Sequence, residues 1–508
     1  MSAIITDQFR ILSAENFLAS IASTENSYYS FVGLTNSTDY DSEWEKNPVS
    51  PVDCFDNYND IWDTIVSLKR INSDDARLIV SKILWESGAT YDMYRHDISR
   101  FNLSNNTKKT SLYESNFYVI NSDYRVYICL NNGTDPENPE GRPSLDEPNF
   151  VDIEPRSAGN SGDGYVWKYL YTIKPSDVVK FDTENYIPLP KEWRTSSENA
   201  AVRDNANSES SGQLKMCVIT NRGSGLGLPR TYKNVPIVGD GTGAEATIVV
   251  GVDASVESIT ITKGGQGYTY GVVDLKSGGI SGNVLPTFDV IIPPPNGHGY
   301  DVYRELGGKN VLIYSRIESG SDFIIGNKIA RVGIIKNPLF PGSSSLLSDL
   351  SVSNTYAIKL GGGFEDASFP PNSKIYQNVG VGVTAVGRVV SYDNTTGVLK
   401  YWQDRSLVGF NYGRSTLNTS DPEYGYSLNH FSSSGESLDI VGTASILPID
   451  TVFKGDTINN IDLGQNFVSG ISSSEVKKYS GEIIYFDNRP SITRSQNQKE
   501  DIKVILQF

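Results

Sequence analysis

Residues 161–170 read SGDGYVWKYL. Two glycines bracket Asp163, and three aromatics and a lysine follow. The fold turns on whether this is a functional loop or the turn that starts a strand. Val166, Lys168 and Leu170 alternate with Trp167, Tyr169 and Tyr171. A period of two with large aromatics on one face predicts a strand. Gly162 and Gly164 free the backbone for a tight turn, and an aspartate suits the turn itself. A phosphate-cradling loop needs GxxxxGKS/T, or GxGxxG running into a helix, and neither is present. The local reading is a turn, with an acid or metal-ligand role for Asp163 as the lesser alternative.

Upstream, FYVINSDYRVYICLNN predicts a hairpin around Asn121-Ser122-Asp123. Residues 131–162 form a long polar loop of the kind that contacts partners. The first ~100 residues read as partly helical. Ile11, Ala14, Leu18 and Ile21 share one face, widened by Phe17. Ile61, Ile65 and Leu68 make a second stripe. Ala76, Val80 and Ile83 make a third, with Ser73 as cap and Asp74 and Asp75 at the helix start. All three read as core-facing.

Downstream, the polar stretch 194–212 marks a linker. Residues 213–292 are Gly-rich and strand-like, which fits a small β-sandwich or barrel. PPPNGHG (293–299) is a turn carrying His298. Residues 309–337 return to strand, 341–355 are a Ser-rich loop, and 375–403 hold a hairpin turning at Asp393–Gly397. Residues 404–470 are irregular or β. SGEIIYFDNRP and DIKVILQF are the closing strands.

A chain of 508 residues suggests two to four domains. Lys+Arg 44 against Asp+Glu 60 leaves a net charge of −16, the wrong sign for a nucleic-acid partner. No apolar run reaches membrane-spanning length, so no membrane partner is expected. The start has no secretory pattern, so a cytoplasmic site of synthesis and folding is expected. Cys54, Cys129 and Cys217 form no disulfide framework and read as buried thiols. His96, His298 and His430 lie far apart, without zinc-site spacing, and read as surface or packed residues. No cofactor is expected. The loop at 131–153 lacks the calcium-loop pattern. Glu482 with Asp487, and Asp146 with Glu147, are the carboxylate pairs a glycosidase reading would use. Sixty carboxylates supply such neighbours by chance. Trp402, Tyr401 and the stretch 424–426 are candidates for stacking on a glycan.

Three stretches together carry a family resemblance: ITDQFRILSAENFLASI, SGDGYVWKYLYTI, and SGEIIYFDNRPSI with DIKVILQF. They resemble the baseplate wedge subunit, the gene eight product, of T-even-like contractile-tailed phages. The likeness runs over about 1–193, 309–340 and 475–508. The extra length at ~200–305 and ~345–470 resembles long forms carried by cyanophages. The resemblance implies a non-enzymatic virion protein of the tail baseplate, assembled in the host cytoplasm. It implies a homodimer that docks other wedge proteins and re-packs on sheath contraction. It also implies a mainly β fold, a layered β-sandwich core with helical excursions and inserted β-rich domains.

The expected division is 1–200 wedge core, 201–305 inserted Gly-rich β domain, and 306–344 return to core. A second insert at 345–470 and C-terminal core strands at 471–508 complete it. A glycan- or receptor-binding role through the inserts is the alternative. Tyr165, Trp167, Tyr169, Tyr171, Tyr485 and Arg489 are candidate packing or interface residues, and sequence does not choose between those roles.

Overall fold

Strand accounts for 40% of the chain and helix for 13%, so the body is mainly β with helical excursions. The computed structural model describes residues 3–508 apart from 36–43, 45, 207, 209–210, 319–323, 409–425, 435–438, 443–444 and 496–497. The chain divides into two units. One holds Met1–Leu18, Arg77–Leu312 and Ile505–Phe508; the other holds Ala19–Ala76 and Ile313–Val504. Among the described residues no helix is long and apolar enough to cross a membrane.

In the first unit the opening stretch is a strand, Tyr165–Thr172. It pairs antiparallel with Arg125–Asn132, which pairs in turn with Tyr118–Ile120. The hairpin at Asn121–Asp123 is therefore present as expected. The alternation along Tyr165–Thr172 is not strict. The register slips opposite Val126/Tyr127, skipping Leu170, and again at Cys129/Asn131, skipping Leu130. Such bulges break the period of two. Lys168 and Leu170, placed by simple alternation on a non-aromatic face, are both fully buried.

Residues 213–292 form a small β module. Val256–Gln266, Thr242–Val250, Arg230–Gly239 and Gly271–Val273 make one sheet in that order. Met216–Asn221 pairs with Thr287–Ile291. Backbone bonds from Leu214 N to Gly264 O (2.9 Å) and from Val256 N to Arg222 O (2.8 Å) tie the two sheets at both ends. The result is barrel-like, filled by Val235, Ala246, Ile248, Val250 and Val256.

The second unit is layered. Its five-stranded sheet runs Ser351–Ser353, Ile65–Ile71, Tyr28–Gly33, Lys328–Lys336, Glu482–Thr493. Tyr29, Phe31, Leu68 and Ile335 pack on one face with Ile61 and Trp62 of the helix Phe55–Thr64. Val32, Val66 and Ile329 pack on the other with Val390 and Trp402 of the neighbouring sheet. A strand buried on both faces reads as a continuous apolar run rather than an alternating one. Its neighbouring sheet contains the Val383–Asp393 and Val398–Trp402 hairpin expected around Asp393–Gly397.

That two-sided burial explains the helical expectations that fail. The first stripe is a helix, Asp7–Ala22, with Ile11, Ala14 and Ile21 buried. The second stripe stops being helical at Thr64, and Ile65–Ile71 is a strand. The third is only a one-turn 3-10 segment at Ser73–Asp75, boxed by Asn72 and Asp75, before the strand Ala76–Ser81. β-branched and aliphatic residues in sequence satisfy a buried strand as well as a helix face. Three smaller corrections follow. The linker region carries a short helix, Ala200–Asn205. The Ser-rich loop contains the strand Ser351–Ser353. Cys54 is exposed, whereas Cys129 and Cys217 are buried.

Candidate interaction sites

Asp163 closes a turn. Its carboxylate accepts from Tyr165 N at 3.0 Å and from Leu145 N at 2.9 Å. It therefore starts the strand and pins the long loop above it. Gly164 has φ +88, and a Cβ there would sit 2.8 Å from the Cα of Gly133. Gly133 in turn has φ +74 and approaches the Asp163 carbonyl. Gly133 and Gly164 are needed for backbone handedness and close approach.

The aromatics of the strand split into separate neighbourhoods. Tyr165 and Trp167 stack at 5.2 Å, with Tyr91 edge-on to both. Tyr165 Oη donates to Arg142 O at 2.7 Å and accepts from Tyr91 N at 3.0 Å. Tyr171 lies against Trp193 and donates to Pro188 O. Tyr165, Trp167 and Tyr171 are at most 1% exposed. Tyr169 is half-buried against Tyr127.

Two polar features here were not singled out as functional. Lys168 is wholly buried and donates to Ile153 O at 2.7 Å. Burial pulls its pKa down to about 8. His298, expected only in a turn, is 3% exposed and bonds Glu305 Oε1 at 2.6 Å. Glu305 Oε2 also accepts from Gly299 N. The sequence signal is faint: a histidine and a glutamate seven apart, joined by a short helix Val302–Glu305. His96 accepts from Ile292 N, and His430 lies 4.8 Å from the Tyr356 ring.

The loop carboxylates are spent on holding the loop. Asp135 pairs with Arg142 at 2.7 Å, Asp146 accepts from Ser161 N, and Glu147 accepts from Ser122 N. Among the described residues no group of three or more His, Cys, Asp or Glu is placed to hold a metal ion. Tyr401 and Trp402 are 1% and 4% exposed, which removes their rings as platforms for a sugar. Tyr424 and Gly425, and the side chain of Tyr426, lie outside the described residues.

Tyr485 and Arg489 come together in the second unit. Both line a cleft of about 500 Å³ between Glu482–Thr493 and Glu500–Val504. Its apolar lining includes Val32, Val332, Ile492 and Ile502, and its rim carries charges. Arg489 bonds Asp487 at 3.2 Å, with two thirds of its side chain exposed. Its carbonyl accepts from the Trp44 indole at 2.8 Å. Glu482–Thr493 is the terminal strand of its sheet. Burial and the nearby Asp487 raise the Tyr485 pKa, partly opposed by Arg489.

Residues 150–208 match the Phage-Gp8 family, described as Bacteriophage T4, Gp8. The matched segment contains the Tyr165–Thr172 strand, the helix Pro175–Phe181 and the buried Trp193. No curated protein matches the chain. The match is consistent with a structural role in a phage tail.

Proposed function

We propose that the chain is a baseplate wedge subunit of a contractile phage tail. It acts as a homodimeric scaffold that docks neighbouring wedge proteins and re-packs when the sheath contracts. The observation that carries this reading is the family match at 150–208. Within that segment Asp163, Gly164, Trp167 and Tyr171 are committed to shape and packing. That is the use a scaffold makes of such residues, and it leaves them no part in a reaction.

In this reading the segments at 201–305 and 345–470 are insertions into the wedge core. The cleft at Tyr485 and Arg489 is the docking candidate, because its floor is apolar and its rim is charged. Interfaces combine an apolar centre with a polar rim in this way.

Light scattering on the purified chain, alone and then mixed with candidate wedge neighbours, tests the reading. A dimer that captures them in fixed stoichiometry is expected. A trimer without wedge affinity points instead to a fibre or adhesin.

A further inference from the structure

A second cluster in the Ala19–Ala76 and Ile313–Val504 unit has unused charge. Asp63 is 5% exposed and accepts two bonds at 2.5 Å, from Arg405 Nε and from Tyr479 Oη. The Arg405 guanidinium lies 5.2 Å over the Tyr479 ring. Beside them Lys478 Nζ sits 4.5 Å over the Tyr356 ring. The other neighbours of Tyr356 are Tyr401, stacked at 5.4 Å, and His430. Among the described residues Lys478 has no carboxylate or carbonyl partner. The one carboxylate in contact here, Asp63, is committed to Arg405 and Tyr479.

This arrangement is unbalanced. A half-buried ammonium is stabilised best by a charge-assisted hydrogen bond, and a ring face supplies only part of that. Burial lowers the Lys478 pKa to about 8, with Arg405 adding to the fall and Asp63 opposing it. His430 is lowered by burial and by Lys478. That leaves His430 a neutral donor, while Lys478 and Arg405 oppose each other's charge. An arriving anion relieves that opposition.

We propose that Lys478, with Arg405 and His430 beside it, is the binding point for a carboxylate presented by an acidic segment of a partner protein. The occupant is a peptide rather than a sugar because the ring faces are already used. Arg405 covers Tyr479, and Lys478, His430 and Tyr401 surround Tyr356. No flat platform is left for a pyranose, whereas a side-chain carboxylate needs only the donors. That the partner is a tail protein rests on the scaffold reading; the carboxylate site itself does not.

The experiment titrates the full chain with deca-glutamate and, in parallel, with a uronate polymer, for wild type and Lys478→Met. Lys478→Met keeps the stem packing and leaves the Asp63–Arg405 pair intact, and a thermal melt confirms that it folds. Wild type is expected to bind deca-glutamate in a salt-sensitive manner, with affinity falling at least about tenfold in Lys478→Met. Equal affinity in the two proteins, no binding by wild type, or tighter binding of the uronate polymer each overturns the proposal. Light scattering reports assembly separately. Loss of peptide binding in Lys478→Met beside a wild type that captures no wedge protein would sink the scaffold reading and keep the site.

Discussion

The strands Tyr165–Thr172 and Glu482–Thr493 both carry candidate packing or interface residues, yet they use them in opposite ways. The first ends its three-stranded sheet, but its outer edge is bridged by Arg156 at Trp167, and it buries Tyr165, Trp167, Lys168, Leu170 and Tyr171. The second is terminal in its sheet, and most of its side chains are exposed or half-buried. Both are edge strands, so burial sets them apart: a side chain left exposed or half-buried beside an apolar cleft adds little to stability and is free to meet a partner. The difference separates residues that make the fold from residues that use it.

The sharpest test of that separation is Trp167→Ala. Truncating a fully buried tryptophan is expected to cost about 3–5 kcal/mol in a denaturant melt, and a cost below about 1 kcal/mol would break the comparison. Lys168→Met comes next, and its effect lies in pH dependence. The unfolded lysine keeps its proton up to about pH 10.5, whereas the folded one loses it near pH 8. Below pH 8 both states are charged, and the fold carries the full cost of the buried ammonium. As pH rises from 8 to 10.5 that cost is relieved, so wild type gains up to about 3 kcal/mol from this group. Lys168→Met lacks that gain. The contrast between the two melts isolates Lys168 from Lys478, which titrates in the same range.

Gly164→Ala is expected to cost about 2 kcal/mol or more, because the left-handed backbone and the contact with Gly133 both oppose a Cβ. Equal melting of variant and wild type would remove the close-approach argument. The smallest stability effect belongs to Tyr485→Ala and Arg489→Ala. Each is expected to shift stability by less than about 1 kcal/mol, while co-sedimentation with wedge neighbours falls. A large loss of stability would move these residues into the fold-making class.

Much of this was legible in the sequence where turns are explicit. Asn121-Ser122-Asp123 and Asp393–Gly397 announce their hairpins, and the glycines around Asp163 announce a turn. The failed helix expectations share one cause: burial from two sides. Ile65, Leu68 and Val80 fit a helical stripe, but a sheet covered on both faces produces the same spacing. Lys168 escaped notice because the slip at Leu170 breaks the two-residue rhythm, and no local residue type signals a bulge. Glu305 reaches His298 only through the turn of an intervening helix, so the pair has no motif. The Tyr485 and Arg489 cleft needs Val32 and Val332, which lie 453 and 153 residues before Tyr485 in sequence.

The barrel-like module has one more implication. Its first strand, Met216–Asn221, and its last, Thr287–Ile291, are antiparallel partners, with Met216 facing Ile291. Paired Cα atoms lie about 5 Å apart, a gap that a tight turn of a few residues spans. A segment whose two ends meet can be spliced into a host loop, or cut out of it, without moving the host's own strands. Replacing residues 216–291 by a short turn is therefore expected to leave the strands outside the module in place.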